Sequence, residues 1–259
     1  MFDIAQLELT YKHAPEIAPV MRERADGCIV CGYLVRDSDV QNPLESTEGL
    51  GKIIDRRNLH RDENRNICRR LTKGPEGAYL HRRSRPCLLM LDVYVHSGEV
   101  WSLSGEGTQC RWDTTRRAGV WVPDKAAKDY IKYKAFRDCL PDGCFSSWDQ
   151  GSAILTLPDG TVRGPYQSIL TAIRAVPSIL KISIDPMIKQ TKEKEAAKVV
   201  ARFALEEFNA WLAGDVWGVC VDTFRDGELV DEDACWGYVT FDAAKDELEA
   251  TIKNVQKGK

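Results

Sequence analysis

The segment SLSGEGTQCRWD, residues Ser102–Asp113, places several chemically active side chains within twelve positions. Cys110 carries a thiol that could act as a nucleophile, and Glu106 carries a carboxylate that could act as a general base. His96 is the imidazole nearest to Cys110 along the chain. A thiol beside a base is the arrangement of cysteine-dependent hydrolases and transferases. One hypothesis is therefore a hydrolase or transferase built around Glu106, Cys110 and His96.

The same segment is also typical of a surface loop without a catalytic role. Gly105 and Gly107 allow positive φ in a tight turn, and Arg111 has a carboxylate close by at Asp113 or Glu106. We expect the two glycines to fix the backbone and one of these carboxylates to hold Arg111. We expect no acid–base pair directed at a substrate, so this interpretation opposes the enzymatic one.

Cys28 and Cys31 have the spacing of half a zinc site, because two thiolates separated by two residues can bind one tetrahedral ion. A complete site needs two further ligands, and the sequence offers three pairs: His60 with Cys68, His81 with Cys87, and Cys139 with Cys144. None repeats the Cys-x2-Cys spacing. The apolar residues between Cys28 and Cys31 indicate a buried strand in which the thiols pack as small hydrophobic groups. We expect no cofactor, with zinc as the alternative.

Charge is strongly segregated along a chain whose net charge is only −3. Residues 52–85 contain 11 Lys or Arg and 4 Asp or Glu, a net of +7, whereas residues 206–249 contain 13 acidic and 2 basic residues, a net of −11. Such segregation indicates partners and not a fold. Two solvated faces without a partner are the alternative.

The basic segment suggests a nucleic-acid partner. Arg57, Arg61, Arg65 and Arg69 follow one another at helical spacing and could track a phosphate backbone, although no aromatic residue lies among them to stack on bases.

The acidic segment suggests a different use. Asp231, Glu232 and Asp233 lie in its middle, and such a surface could imitate a nucleic-acid backbone in a basic groove of another protein. Both uses require a partner.

Hydrophobic periodicity and turn residues predict an α+β fold in which antiparallel hairpins pack with helices. We expect five tryptophans to be packing residues, namely Trp101, Trp112, Trp121, Trp217 and Trp236. The predicted elements are a strand at 27–35, a helix at 49–71, hairpins at 88–105, 152–166 and 216–239, a helix at 192–213, and a last helix capped by Asp242.

Two α+β regions, residues 1–150 and 151–259, are the predicted domains. GVWVPDKAAKD, residues 119–129, resembles GYVTFDAAKDE, residues 237–247, and an internal duplication is one explanation. We prefer the other, because a strand followed by an Asp cap and an Ala–Lys helix is common in α+β proteins.

Composition is that of a globular chain: 259 residues, of which 43% are hydrophobic and 29% charged. We expect no membrane span, because no segment approaches the roughly 20 apolar residues that a span needs. The start of the sequence lacks an export signal and the nine cysteines are odd in number, which favours reduced thiols in the cytoplasm.

Two stretches are distinctive as sequence: HSGEVWSLSGEGTQCRWDTTRRAGVWVPD, and FNAWLAGDVWGVCVDTF followed by DACWGYV. Both resemble uncharacterised proteins of bacteriophages and mobile elements. The resemblance implies a viral or mobile-element origin and action on a host component in the bacterial cytoplasm. Our leading hypothesis is an accessory protein, not an enzyme, that binds and inhibits or redirects a host factor, such as a defence system, through charged surfaces.

Overall fold

The computed structural model describes residues 7–11, 18–55, 71–73, 79–81, 88–149 and 152–257. These residues form antiparallel sheets and α-helices in roughly equal amounts, so the predicted α+β class is confirmed. The strands are β1 (Val20–Glu23), β2 (Ile29–Arg36), β3 (Lys52–Asp55), β4 (Leu71–Lys73), β5 (Tyr79–His81), β6 (Leu89–Val95), β7 (Glu99–Leu103), β8 (Thr114–Val122), β9 (Phe145–Asp149), β10 (Ser152–Thr156), β11 (Val162–Tyr166), β12 (Val216–Arg225) and β13 (Glu228–Val239).

The helices are α1 (Pro43–Ser46), α2 (Lys125–Arg137), α3 (Ile169–Leu180), α4 (Pro186–Leu212) and α5 (Phe241–Gln256). In the part of the chain that the structure describes, no helix has the length and apolar character needed to cross a membrane.

The chain forms two compact units that differ from the predicted division at residue 150. The terminal unit contains Met1–Pro43 and Glu207–Lys259, and the central unit contains Leu44–Glu206. The terminal unit has this composition because β12 pairs antiparallel with β2, which joins the two ends of the chain in one sheet.

The terminal unit is a four-stranded sheet of order β1-β2-β12-β13 with α5 on one face. Leu248 and Ile252 of α5 pack against Val30 and Leu34 of β2. Gly32 lies between these two strand residues, and a Cβ atom there would collide with the Ile252 side chain. The close packing of helix on sheet therefore depends on a glycine at this position.

The opposite face of this sheet contains a buried carboxylate. Asp222 on β12 accepts hydrogen bonds at Oδ2 from the Tyr33 hydroxyl at 2.9 Å and from the Thr10 backbone N–H at 2.8 Å. The Tyr11 N–H in turn donates to the Tyr33 hydroxyl at 2.9 Å. The segment 7–11 is thereby fixed to the sheet.

The central unit contains a four-stranded sheet of order β3-β8-β6-β7 and a three-stranded sheet of order β11-β10-β9. The β6–β7 and β10–β11 hairpins confirm the predicted hairpins at 88–105 and 152–166. Leu155 of β10 packs against Ala172 and Val176 of α3.

The predicted helix at 49–71 is wrong in its described part, because Lys52–Asp55 forms β3 and pairs with β8. Asp124 Oδ2 accepts the N–H groups of Gly49 at 2.8 Å and Gly51 at 3.1 Å, and Gly51 has a φ of 72°. These contacts hold the turn that leads into β3. The remainder, residues 56–70, lies outside the described residues.

Two predicted helix starts also need correction. The long helix α4 begins at Pro186 and not at Lys192, because Asp185 accepts the Met187 N–H at 2.7 Å and proline suits the first helical position. Thr240, not Asp242, caps α5, and Asp242 lies in its first turn.

The two similar segments at 119–129 and 237–247 occupy different positions in their sheets. The first belongs to β8, an inner strand followed by the Asp124 cap, and the second belongs to β13, an edge strand followed by the Thr240 cap. This difference in topology does not support an internal duplication.

Candidate functional site

The loop between β7 and β8, residues 104–113 and hereafter the display loop, is organised by one buried carboxylate. Asp92 of β6 is 1% exposed, and its Oδ1 accepts the Ser104 hydroxyl at 2.7 Å and the Arg117 N–H at 2.7 Å. Its Oδ2 accepts the Gly105 N–H at 2.9 Å and the Gln109 side-chain amide at 3.3 Å. Four donors from three parts of the chain therefore meet at one side chain.

These hydrogen bonds favour the ionised form of Asp92. Burial alone would raise the pKa of this carboxyl group, but the donors from Arg117, Gly105, Ser104 and Gln109 together hold its pKa below the ordinary value. The display loop is thus attached to a buried charge that is fully compensated by hydrogen bonds.

The two glycines of the display loop have different physical roles. Gly105 has a φ of 86°, which favours glycine, while open space surrounds the position of a Cβ. Gly107 is required by space, because a Cβ atom there would collide with the Ser102 side chain. The prediction of a positive φ therefore holds for Gly105 and not for Gly107.

Thr114 closes the far end of the display loop. Its hydroxyl accepts the Cys110 N–H at 2.9 Å and donates to the Thr108 carbonyl at 2.7 Å. The Thr114 N–H also donates to the Cys110 carbonyl at 3.2 Å. Both ends of the display loop are consequently fixed by hydrogen bonds to the sheet.

Asp113 brings Cys110 and His96 together. The Cys110 thiol donates to Asp113 Oδ2 at 3.4 Å, and Nδ1 of His96 lies 3.4 Å from the same oxygen. The carboxylate stands between the two other groups. Because the thiol is directed at a carboxylate and not at the imidazole, this arrangement does not supply the nucleophile–base contact of a cysteine enzyme.

Glu106 does not join this group. Its Oε2 binds Nε of Arg202 on α4 at 2.8 Å, its Oε1 binds Nη2 of the same guanidinium at 2.9 Å, and Nζ of Lys198 lies 4.0 Å from Oε1. The Arg202 guanidinium holds the pKa of Glu106 below its usual value. The structure therefore separates Glu106 from Cys110 and uses it to attach the display loop to a helix.

Arg111 and Trp112 are both exposed on the display loop. Trp112 is 83% exposed, and Cζ of Arg111 lies 5.2 Å from the centre of its indole ring. The predicted ion pair of Arg111 with Asp113 or Glu106 is wrong for the described residues. Glu106 binds Arg202 instead, and Asp113 contacts Cys110 and His96.

The tryptophan prediction is confirmed at three buried positions, namely Trp101, Trp121 and Trp217. It holds in part at Trp236, which is 42% exposed but packs edge-on against Tyr11 at 5.2 Å and lies over Gly218. It is wrong at Trp112, because a pattern of apolar neighbours does not distinguish an indole that faces the core from one that projects from a loop.

The predicted zinc ligands Cys28 and Cys31 are both buried, Cys31 in the sheet of the terminal unit. Burial, followed by the nearby charge of Asp222, raises the pKa of Cys31 to about 11. Within the described ranges, no group of three His, Cys, Asp or Glu residues has a geometry suited to a metal ion.

The structure describes the acidic residues of the predicted binding set but not the basic ones at 57–69. Asp231, Glu232 and Asp233 are exposed on β13 at the edge of the terminal sheet. The basic residues lie outside the described residues: Arg57, Arg61, Arg65 and Arg69.

Sequence reasoning did not identify Asp92 and Arg202, the two residues that position the display loop. Asp92 carried a detectable signal, since it interrupts the apolar run LLMLDVYV where a buried strand residue is expected. Arg202 carried none, because its partner is 96 residues away.

Comparisons with known proteins leave the site to be interpreted from geometry alone: no family model, curated protein or solved structure matches this chain.

Proposed function

We propose that this protein is a phage or mobile-element accessory protein that binds a host protein in the bacterial cytoplasm and inhibits or redirects it. The observation that carries this proposal is the exposure of Trp112, next to Arg111, on a loop fixed by a buried carboxylate. The viral origin is inferred from the sequence resemblance. We propose a component of a defence system as the host factor.

The exposed indole is the strongest argument for a partner. Leaving a large aromatic side chain in water forgoes roughly 2 kcal/mol or more of burial free energy, so a chain gains stability by packing it. Trp and Arg are also the residues that most often dominate the binding energy of protein interfaces. An exposed Arg–Trp pair is therefore well suited to anchor a partner protein.

The rigidity of the display loop supports the same function. Binding by a mobile loop loses conformational entropy, whereas a loop already held in one conformation avoids most of that loss. Asp92 and Thr114 fix the two ends of the display loop, and Glu106 attaches it to Arg202. Partner binding explains why hydrogen bonds hold the display loop at three points although the Trp112 side chain packs against little of the chain.

The other two functions receive no comparable support. For a hydrolase or transferase, Glu106 would have to serve as a base, yet both of its oxygens bind Arg202. For a nucleic-acid-binding protein, the arginines at 57–69 would have to form a basic surface, and they lie outside the described residues.

The test is affinity capture from a bacterial lysate with wild-type protein, Trp112→Ala, Arg111→Ala and the control Tyr130→Ala, at low and moderate salt. Tyr130 is an exposed aromatic residue on α2 and is remote in sequence from the display loop. We expect wild type and Tyr130→Ala to capture a host protein that Trp112→Ala and Arg111→Ala do not capture.

The captured protein is then purified and its Kd measured. We expect Trp112→Ala to raise the Kd at least about 30-fold, the effect of losing an interface residue worth about 2 kcal/mol. Equal capture or equal Kd for wild type and Trp112→Ala would contradict the proposal.

A further inference from the structure

The terminal unit has a long strand with one open edge. β13 extends over 12 residues and occupies the end of the order β1-β2-β12-β13, and no other described strand pairs with its outer side. An edge strand presents a row of unpaired N–H and C=O groups to which another extended chain can add. β13 is thus a site for strand addition unless its side chains prevent it.

The side chains on this edge are acidic. Asp231, Glu232 and Asp233 are consecutive and exposed, and consecutive strand residues point to opposite faces of a sheet. Asp233 pairs with Val221, which packs beneath α5, so Asp233 lies on the α5 face. Glu232 pairs with Asp222 and lies on the other face. Negative charge consequently flanks the edge on both faces.

A pocket adjoins these residues on the surface of the terminal unit. It has a volume of about 670 Å³ and is lined by residues 231–233 of β13, by the turn at 24–26 and by residues 255–257 at the end of α5. The lining contains four carboxylates and two cations, Arg24 and Lys257, and Arg24 is already bound to Asp26. The last carbonyl groups of a helix add partial negative charge. The net negative charge favours a long cationic side chain in the pocket.

Charge decides which occupant fits the edge. A second copy of the chain would bring the acidic residues of one β13 against those of another, and like charges on adjacent strands are destabilising. A nucleic acid would be repelled for the same reason. A segment with alternating Lys or Arg instead neutralises Asp231 and Asp233 while it forms main-chain hydrogen bonds with the strand.

We infer that the outer edge of β13 binds an extended basic peptide segment by strand addition, with a Lys or Arg side chain in the adjoining pocket. The acidic residues disfavour acidic strands and attract basic ones, and the backbone edge and the pocket supply the binding groups. This surface is formed by residues other than Arg111 and Trp112, so the inference does not depend on the display loop.

The experiment measures binding of the peptide KVKVKVKV, labelled with a neutral dye, to the full-length protein by fluorescence anisotropy at moderate salt. A second peptide carries the same side chains but has its central amides N-methylated, which removes the hydrogen-bond donors. We expect the first peptide to bind and the second to bind at least about tenfold more weakly, because strand addition depends on main-chain hydrogen bonds. Trp112→Ala should bind the peptide as wild type does.

A matched pair of variants tests the acidic residues. Asp231→Asn with Asp233→Asn should weaken peptide binding roughly threefold to tenfold, as expected for two partly exposed ion pairs. Asp246→Asn with Glu249→Gln removes the same charge from exposed positions of α5 outside the pocket and should change binding less than about twofold at this salt. Circular dichroism checks that both variants are folded.

Three results would overturn the inference. Equal binding of the N-methylated peptide would show attraction by charge alone. Equal effects of the two double variants would place the peptide elsewhere. A wild-type dimer in sedimentation experiments, with the outward-facing amides of β13 protected from hydrogen exchange, would show that a second copy occupies the edge.

Discussion

The carboxylate of Glu106 binds the guanidinium of Arg202 through two hydrogen bonds of 2.8 and 2.9 Å, joining positions 96 residues apart in the chain. This bidentate pair attaches the display loop to α4. It also occupies the one carboxylate that the sequence suggested as a general base.

A double-mutant cycle measures this attachment. Both side chains are partly exposed, so we expect Glu106→Gln and Arg202→Gln to show a coupling free energy of only about 0.5 to 1 kcal/mol in urea unfolding. Lys198→Gln is the comparison, because its ammonium lies 4.0 Å from Glu106, and its coupling should be smaller. A coupling near zero for Arg202 would mean that the pair does not stabilise the attachment of the display loop.

Asp92 should be the residue on which the display loop depends most. Asp92→Asn replaces one acceptor oxygen with a donor group that faces existing donors, and we expect a loss of about 1 to 3 kcal/mol in the free energy of unfolding. Asp129→Asn, an exposed change on α2, is the control and should be nearly neutral. Similar stabilities for the two variants would contradict the assigned role.

The contribution of Asp92 should also depend on pH. Its pKa is lower in the folded state than the unfolded value of about 3.9, so its stabilisation is complete at neutral pH and is lost as the pH falls through the folded-state pKa. The stability difference between wild type and Asp92→Asn should therefore be constant from pH 7 to about pH 5 and should decrease below about pH 4. A difference that grew on acidification would show the opposite shift.

The sequence was sufficient for elements defined by neighbouring residues. The β6–β7 and β10–β11 hairpins depend on turn residues such as Pro158-Asp159-Gly160, which act within a few positions. Apolar spacing predicts the α4 helix, and the local signal for its start is the Asp185-Pro186 pair.

Long-range pairing accounts for what the sequence could not show. The pairing of β12 with β2 and the binding of Glu106 to Arg202 join distant positions, and local periodicity contains no information about either. Ile53 and Ile54 also fit a helical face, whereas pairing with β8 and the contacts of Asp124 with Gly49 and Gly51 make this segment a turn and a strand. Local sequence predicts the position of the display loop but not its contacts.

The two glycines of the display loop should respond differently to substitution. Gly105→Val should destabilise by about 1 to 3 kcal/mol, because a β-branched residue resists a positive φ. Gly107→Ala should destabilise through its collision with Ser102, and adding Ser102→Gly should restore part of the loss. Gly98→Ala is the control, since open space surrounds it. If Ser102→Gly gave no rescue, the collision would not be the cause.

Tryptophan fluorescence should report the exposure of Trp112. Acrylamide reaches exposed indoles and is excluded from buried ones, so Trp112→Phe should remove a readily quenched fraction of the emission. Trp121→Phe removes a fully buried indole and should leave the quenched component unchanged. Protection of Trp112 from quencher in the protein alone would show that the indole packs against the chain, and its proposed role as an anchor would then fail.

The last prediction concerns zinc. Cys28 and Cys31 are buried, and the raised pKa of Cys31, about 11, opposes the thiolate that a metal requires. We expect the purified protein to contain no stoichiometric metal by elemental analysis and to keep its Tm in the presence of a chelator. Under native conditions at pH 8, a thiol reagent should modify the exposed Cys235 quickly and Cys31 slowly. One zinc ion per chain, lost together with stability on chelation, would contradict this prediction.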